Sequence, residues 1–333
     1  MPDLTRRSLL AATSAAAAAA TLPARATLPA RATEAAAPSL KGKSVFITGA
    51  SSGFGRIGAE YYARLGAKVF ATMRGLPRPE ASELIDLAAR EQLDITVLPL
   101  DVRSDEQVAA AVRDAEAMAG GALDVVINNA GIGMTGPVEV QDLTATQLAF
   151  DTNVFGVQRV LRAALPAMRA RKSGVIFNIS SQLGRVISPA GGHYSATKFA
   201  LEALSEQLAY ELAPHGVEVC IIQPGGYPTK VWVNRNRYNL ELKARIEPER
   251  AAGYPELVAR MGTETGAGRT ADPADVPRAI AEIAAMPAGR RPLRRAVHPG
   301  NKPQEAINRV AAETQVAWLG NSPVGAWIKA VHD

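Results

Sequence analysis

The sequence predicts an α/β protein built on one doubly wound parallel sheet, with helices on both faces. Three observations predict it. From Lys41 onward, short β-branched runs alternate with longer stretches of helical pattern. The runs Val125-Val126-Ile127 and Cys220-Ile221-Ile222 lack polar alternation, as strands covered on both faces should. The connections between elements are short, so repeated β-α-β order implies right-handed crossovers within one sheet.

Each element follows in order. Ser44–Thr48 reads as a strand, Arg56–Leu65 as a helix and Lys68–Met73 as a second strand. Glu80–Glu91 is helical, Ile95–Leu100 a strand, Asp105–Ala119 a helix and Leu123–Asn128 a strand. One long helix is expected over Thr144–Arg171, followed by a strand at Gly174–Ser180, a helix at Tyr194–Leu212 and a strand at Val217–Gln223. After Pro224 the pattern loosens. Residues 229–270 hold Trp232, Tyr238 and several prolines and glycines, with one or two weak helical stretches, and look like an insertion covering a site. Asp272 should start another helix, with Pro273 at its first position and Asp275 in its first turn. Pro292–Val297 suits a short edge strand, and residues 301–333 a surface-packed helical tail. No second domain is expected; the body of the fold is placed at 41–300.

Composition narrows the function classes. At 47% hydrophobic and 21% charged, the 333-residue chain can bury a large core. A lone Cys220 excludes an intrachain disulfide and the cysteine-based zinc patterns. Four scattered histidines (His193, His215, His298, His332) form no local ligand pair, so no metal is expected. Of the net charge of +5, residues 1–32 contribute Arg6, Arg7, Arg25 and Arg31 against Asp3; without them 33 basic and 31 acidic residues leave +2. Only Arg290, Arg291, Arg294 and Arg295 cluster, and they read as a solvated rim, so nucleic acid is not expected as a partner. Residues 1–40 carry Thr5-Arg6-Arg7-Ser8-Leu9-Leu10, an alanine-rich run too short to span a membrane, and A-x-A sites at 24–26 and 30–32. This leader resembles a twin-arginine export signal followed by a linker, which implies a periplasmic location; a disordered leader on a cytoplasmic protein is the alternative.

The first strand ends in Thr48-Gly49-Ala50-Ser51-Ser52-Gly53-Phe54-Gly55, and a helix opens straight after it. A dinucleotide pyrophosphate needs free backbone N–H groups and a helix N-terminus aimed at it, which such a turn provides. The literal G-x-G-x-x-G string at 53–58 is an accident of register, because the strand-to-helix turn begins at Gly49. Tyr194 and Lys198 lie four apart and share a helix face, where an ammonium would favour a phenolate otherwise formed only near pH ~10.

T-G-x-x-x-G-x-G at 48–55, Asn128-Asn129-Ala130-Gly131, Ser181, Tyr194-Ser195-Ala196-Thr197-Lys198 and Pro224-Gly225, in this order, resemble the short-chain dehydrogenase/reductase family. Ala71-Thr72-Met73-Arg74 and the long loop after Pro224 are closest to its retinol- and 17β-hydroxysteroid-dehydrogenase-like branch. The resemblance implies a Rossmann fold and an NADP(H)- or NAD(H)-dependent alcohol dehydrogenase or ketoreductase. It makes Tyr194 the general acid/base, Ser181 the hydrogen-bond donor to the reacting oxygen, Lys198 the holder of the nicotinamide ribose, and Asn153 the keeper of a water relay. Gly49, Ser51, Ser52, Gly53, Phe54 and Gly55 would cradle the pyrophosphate, Asp101 and Val102 bind adenine, and Asn129, Ala130 and Gly131 line the cleft. Pro224, Gly225 and Thr229 would meet the nicotinamide amide, although Pro228 makes that last motif unusual.

Met73-Arg74 stands where an acidic residue would select NAD(H). An arginine suits a 2′-phosphate, so NADP(H) is expected, with NAD(H) as the alternative. Trp232, Tyr238 and Leu240 suggest an apolar cover over a small hydrophobic carbonyl or alcohol substrate. The family also implies a homodimer or homotetramer. A catalytically silent NADP(H)-binding regulatory protein is the competing function, but it would not need Ser181 and Tyr194 together.

Overall fold

The computed structural model describes residues 38–332. The export signal expected at 1–40 therefore lies almost wholly outside the described residues. Seven strands alternate with helices: β1 (Ser44–Ile47), α1 (Gly53–Arg64), β2 (Lys68–Met73), α2 (Pro79–Glu91), β3 (Ile95–Pro99), α3 (Asp105–Ala119) and β4 (Val125–Asn128). Then come α4 (Leu143–Phe150), a π-helical turn (Asp151–Phe155), α5 (Gly156–Arg171), β5 (Gly174–Ile179), α6 (Gly192–Leu212) and β6 (Val217–Pro224). Helices α7 (Val231–Lys243), α8 (Pro248–Gly253), α9 (Pro255–Arg260) and α10 (Asp275–Ala285) precede β7 (Arg294–Val297), α11 (Gln304–Leu319) and α12 (Gly325–His332).

The strands form one parallel sheet in the order β3-β2-β1-β4-β5-β6-β7. Strand order reverses between β1 and β4, which opens a crevice at their carboxyl ends. Both faces are covered. Val45 and Ile47 of β1 join Tyr62 of α1, Leu84 of α2 and Ile280 of α10 on one side. Phe46 points the other way, among Val112 of α3, Val160 of α5 and Leu201 of α6. Apolar side chains on both faces are why runs such as Val45-Phe46-Ile47 and Val125-Val126-Ile127 read as unbroken hydrophobic blocks.

The structure corrects several boundaries. Helix α1 begins at Gly53, three residues before the expected Arg56, so the glycine turn and the helix N-terminus are one piece. The long helix expected over 144–171 is interrupted by the π-turn at 151–155, where Asn153 is buried. Helix α10 starts at Asp275 rather than Asp272. There Asp272 closes a turn instead, accepting from the Ala274 N–H at 3.0 Å and pairing with Arg278.

Residues 229–270 hold three helices, more order than the sequence suggested. A small core of Ile132, Met134, Val140, Tyr238, Leu242 and Met261 joins them to the segment after β4. The tail forms α11 and α12; in α12, His332 reaches Glu206 and Tyr210 of α6. Among the described residues no helix is long and apolar enough to cross a membrane.

Candidate functional site

The site grows from the carboxyl ends of β1, β4, β5 and β6. At the end of β1, the Thr48 hydroxyl oxygen accepts the N–H groups of Asn129 and Ala130 at 3.0 and 2.9 Å. The Asn129 amide donates to the Thr48 and Gly49 carbonyls at 2.9 and 3.0 Å. These bonds lock the glycine turn against the loop after β4. Gly49 has φ +71°, and a Cβ there would lie 2.9 Å from the Ala130 Cα, so position 49 admits no side chain. A Cβ on Gly55 would come within 2.5 Å of the Asn129 amide nitrogen.

The N-terminus of α1 then faces the crevice with no acidic residue in its first turn and no side-chain cap from Ser52. Its first N–H groups are free for an anion, and this uncapped, acid-free turn fits a pyrophosphate. Ser51, Ser52, Gly53 and Gly55 all lie on this turn. Phe54 instead turns its ring onto Tyr227, with centroids 5.3 Å apart. Thr229 sits against Gly53, 3.5 Å from where a Cβ would stand, which brings the loop after β6 to the cradle. Pro224 ends β6, and Gly225 is bonded through its N–H to the Val297 carbonyl at 3.1 Å.

At the end of β5, Ser181 accepts the Leu183 N–H at 3.1 Å, which fixes its hydroxyl. The Tyr194 phenol lies near that hydroxyl. Burial pushes the Tyr194 phenol up, while the nearby Ser181 hydroxyl and the Arg235 charge pull it back down. Lys198, one turn along α6, is 6% exposed and donates to the Ile179 carbonyl at 2.8 Å. Its ammonium lies 5.7 Å from the Tyr194 ring centre, and burial lowers it from 10.5 to about 8, against the pull of Glu202.

Asn153 accepts the Ile132 N–H at 2.8 Å and donates to the Ile132 carbonyl and the Thr197 hydroxyl. Gly131 ties the two groups together: a Cβ there would be 3.2 Å from Asn153 Oδ1 and 3.9 Å from Lys198 Nζ. The four residues expected to carry chemistry are therefore gathered around one point. A hydroxyl pair backed by an ammonium can pass a proton to or from a substrate oxygen.

At the far end of the crevice, Arg74 follows β2 as expected, yet its guanidinium donates to the Tyr238 hydroxyl at 2.9 Å. Asp101 is held by Arg103 at 2.8 Å, and its carboxyl is kept below the usual range by that bond. Val102 is buried and packs toward Gly156.

Two arginines escaped the sequence reading. Arg235 of α7 stands near Tyr194, and Arg269 stacks on Trp232 with 3.5 Å between its guanidinium carbon and the ring centre. No apolar stripe marks α7, because its inward face carries polar groups. Asn239 is wholly buried and clamps Thr135 through both its amide ends. Trp232 spends its indole N–H on the Tyr227 carbonyl, Tyr238 is buried, and Leu240 is 54% exposed, so the expected apolar cover is only partly apolar. His193 donates its backbone N–H to Gln141, and its ring lies 3.4 Å from the Thr146 hydroxyl. Cys220 is buried in β6, and burial pushes its thiol up. Among the described residues no group of three His, Cys, Asp or Glu could hold a metal ion.

Residues 43–239 match the family model described as short chain dehydrogenase. Retinol dehydrogenase 8 of Homo sapiens is 35% identical over 274 residues, 78% of this chain and 82% of the relative. A 3-ketodihydrosphingosine reductase of Bacteroides thetaiotaomicron is 40% identical over 192 residues, 58% of this chain and 66% of the relative. The crystal structure of a short-chain dehydrogenase/reductase from Burkholderia phymatum in complex with NAD aligns with TM-score 0.66 and 25% identity, covering 86% of this chain and 97% of that one. A metagenomic short-chain oxidoreductase in complex with NADP aligns with TM-score 0.61 and 25% identity, covering 78% and 99%. The seven-stranded parallel sheet, the glycine cradle and these likenesses converge: the chain belongs to the short-chain dehydrogenase/reductase family of NAD(P)-dependent oxidoreductases.

Proposed function

We propose that the protein interconverts a hydrophobic alcohol and its ketone or aldehyde, using NADP(H). The convergence of Ser181, Tyr194, Lys198 and Asn153 beside the glycine cradle carries this reading. When bound, the dinucleotide supplies or accepts the hydride. Ser181 donates a hydrogen bond to the reacting oxygen and holds it beside Tyr194. In reduction, Tyr194 protonates that oxygen; in oxidation, it removes the alcohol proton. Lys198 favours the phenolate by its charge and offers N–H groups to the ribose. Asn153 holds the Ile132 backbone and Thr197 in place.

Arg74 supports NADP(H) over NAD(H), because no carboxylate stands at the end of β2 to receive a ribose 2′-hydroxyl. The relatives named as a retinol dehydrogenase and a ketosphinganine-type reductase support a substrate with an apolar body. We also propose that residues 1–40 direct export through Arg6-Arg7, with the fold completed and the dinucleotide bound before transport. A homodimer or homotetramer is part of the same reading.

A panel of aldehydes and ketones, followed by NADPH absorbance, tests the proposal. Turnover of apolar carbonyl compounds is the expected result. NADPH binding with no turnover across the panel would favour a silent cofactor-binding protein instead.

A further inference from the structure

Arg235 is a charged side chain that the proposed chemistry leaves unexplained. It projects from α7 into the catalytic end of the crevice. Its stem lies on the backbone of Gly133, where a Cβ would stand 3.0 Å from Arg235 Cδ. Two residues earlier in the same loop, Gly131 borders Lys198 and Asn153. One short glycine-bearing segment thus separates the arginine from the catalytic lysine.

The guanidinium is held from several sides. Its carbon sits 4.4 Å from the Trp232 ring centre, while Arg269 occupies the same indole at 3.5 Å. The side chain is 13% exposed and pairs with Glu264, which is itself 33% exposed. The Nε–H of Arg235 is buried without a partner. Asn236 fixes the Glu264 backbone through both its amide ends, so the acid is delivered by a built loop. A buried guanidinium is costly unless an anion meets it, and its planar fork matches a carboxylate or phosphate. Two guanidiniums share one indole against the carboxylate of Glu264, which leaves positive charge beside the reacting point.

We propose that Arg235 recognises an anionic group, a carboxylate or a phosphate, on a substrate whose carbonyl or alcohol oxygen lies at Ser181 and Tyr194. The proposal rests on the oxidoreductase reading of this site and narrows its substrate to an amphiphile: an apolar body with an acidic end. Glu264, whose side chain is the more exposed although its Oε2 is buried, holds the arginine until the substrate's anion replaces it. The exchange swaps one ion pair for another, so Arg235 is never left buried and unpaired.

Equilibrium titration of the full chain, with and without NADPH, tests this using hexanoate, hexyl phosphate and the neutral hexanamide. Wild-type protein should bind at least one of the two anions about tenfold or more tightly than hexanamide. Arg235→Gln should remove that preference while leaving hexanamide and NADPH affinities within about twofold. Whichever anion loses more affinity identifies the group. Equal binding of anion and amide by the wild-type chain overturns the proposal whether or not the variant folds, as does a preference that survives Arg235→Gln. Because binding is read without turnover, an Arg235-dependent preference in a protein that reduces no carbonyl compound would overturn the oxidoreductase reading alone.

Discussion

Lys198 should destabilise the fold that it serves, and replacing it with methionine should show by how much. The ammonium is 6% exposed, and burial lowers it from 10.5 to about 8. At about 1.36 kcal/mol per pH unit, holding that charge costs the folded state about 3 kcal/mol at pH 7. The sign follows from proton binding. Below pH 8 the cost is full, because folded and unfolded chains both carry the proton. As pH rises from 8 towards 10.5 the folded lysine is neutral first, so the cost fades and wild-type stability recovers. Lys198→Met removes the charge but leaves the Ile179 carbonyl without its 2.8 Å partner, which returns about 1–2 kcal/mol. The variant should therefore be more stable than wild type by about 1–2 kcal/mol at pH 7, a rise of about 2–4 °C in Tm. At pH 9 the advantage should shrink by about 1 kcal/mol. Urea denaturation of both proteins at pH 7 and pH 9, without dinucleotide, measures it. A variant less stable than wild type at pH 7, or a difference independent of pH, would refute the reasoning.

Other consequences can be checked separately. Arg74→Asp should weaken NADPH binding by about 1.5–3 kcal/mol and NADH binding far less, whereas Tyr238→Phe, which removes only the contact to Arg74, should not separate the two cofactors; fluorescence titration decides. Arg294→Met should cost about 3–5 kcal/mol in thermal denaturation, because Glu202, 2% exposed, and Glu206 both lose their guanidinium. Arg6→Lys with Arg7→Lys should hold a full-length, active form in the cytoplasm, whereas the unaltered chain should be cleaved near Ala26 or Ala32; fractionation with mass spectrometry reads both.

Much of the fold was legible because parallel strands announce themselves. With Val45 and Phe46 buried on opposite faces, no polar residue interrupts the run, and strands such as β1 and β4 read as short apolar blocks. The residues proposed to carry the chemistry were legible for another reason: their order and spacing resemble those of the short-chain dehydrogenase/reductase family. Reading failed where a helix turns polar groups inward. Helix α7 presents Arg235, Tyr238 and Asn239 to the crevice and leaves Val233 and Leu240 outside, so its pattern resembles a loop. The π-turn at 151–155 was hidden in the same way, since a single wide turn leaves the helical composition unchanged. The start of α10 was misplaced because Asp272 and Pro273 form a helix-opening signal that the chain uses for a preceding turn.

The most direct test of the account is the turnover of Tyr194→Phe. Only the proton-bearing oxygen is lost, while Lys198 keeps its bond to the Ile179 carbonyl and the glycine cradle is untouched. With the best carbonyl substrate of the panel, kcat should fall by about 10²–10⁴-fold, and the NADPH dissociation constant should stay within about twofold of wild type. Undiminished turnover by Tyr194→Phe on that substrate would contradict the assignment of the acid/base to this residue.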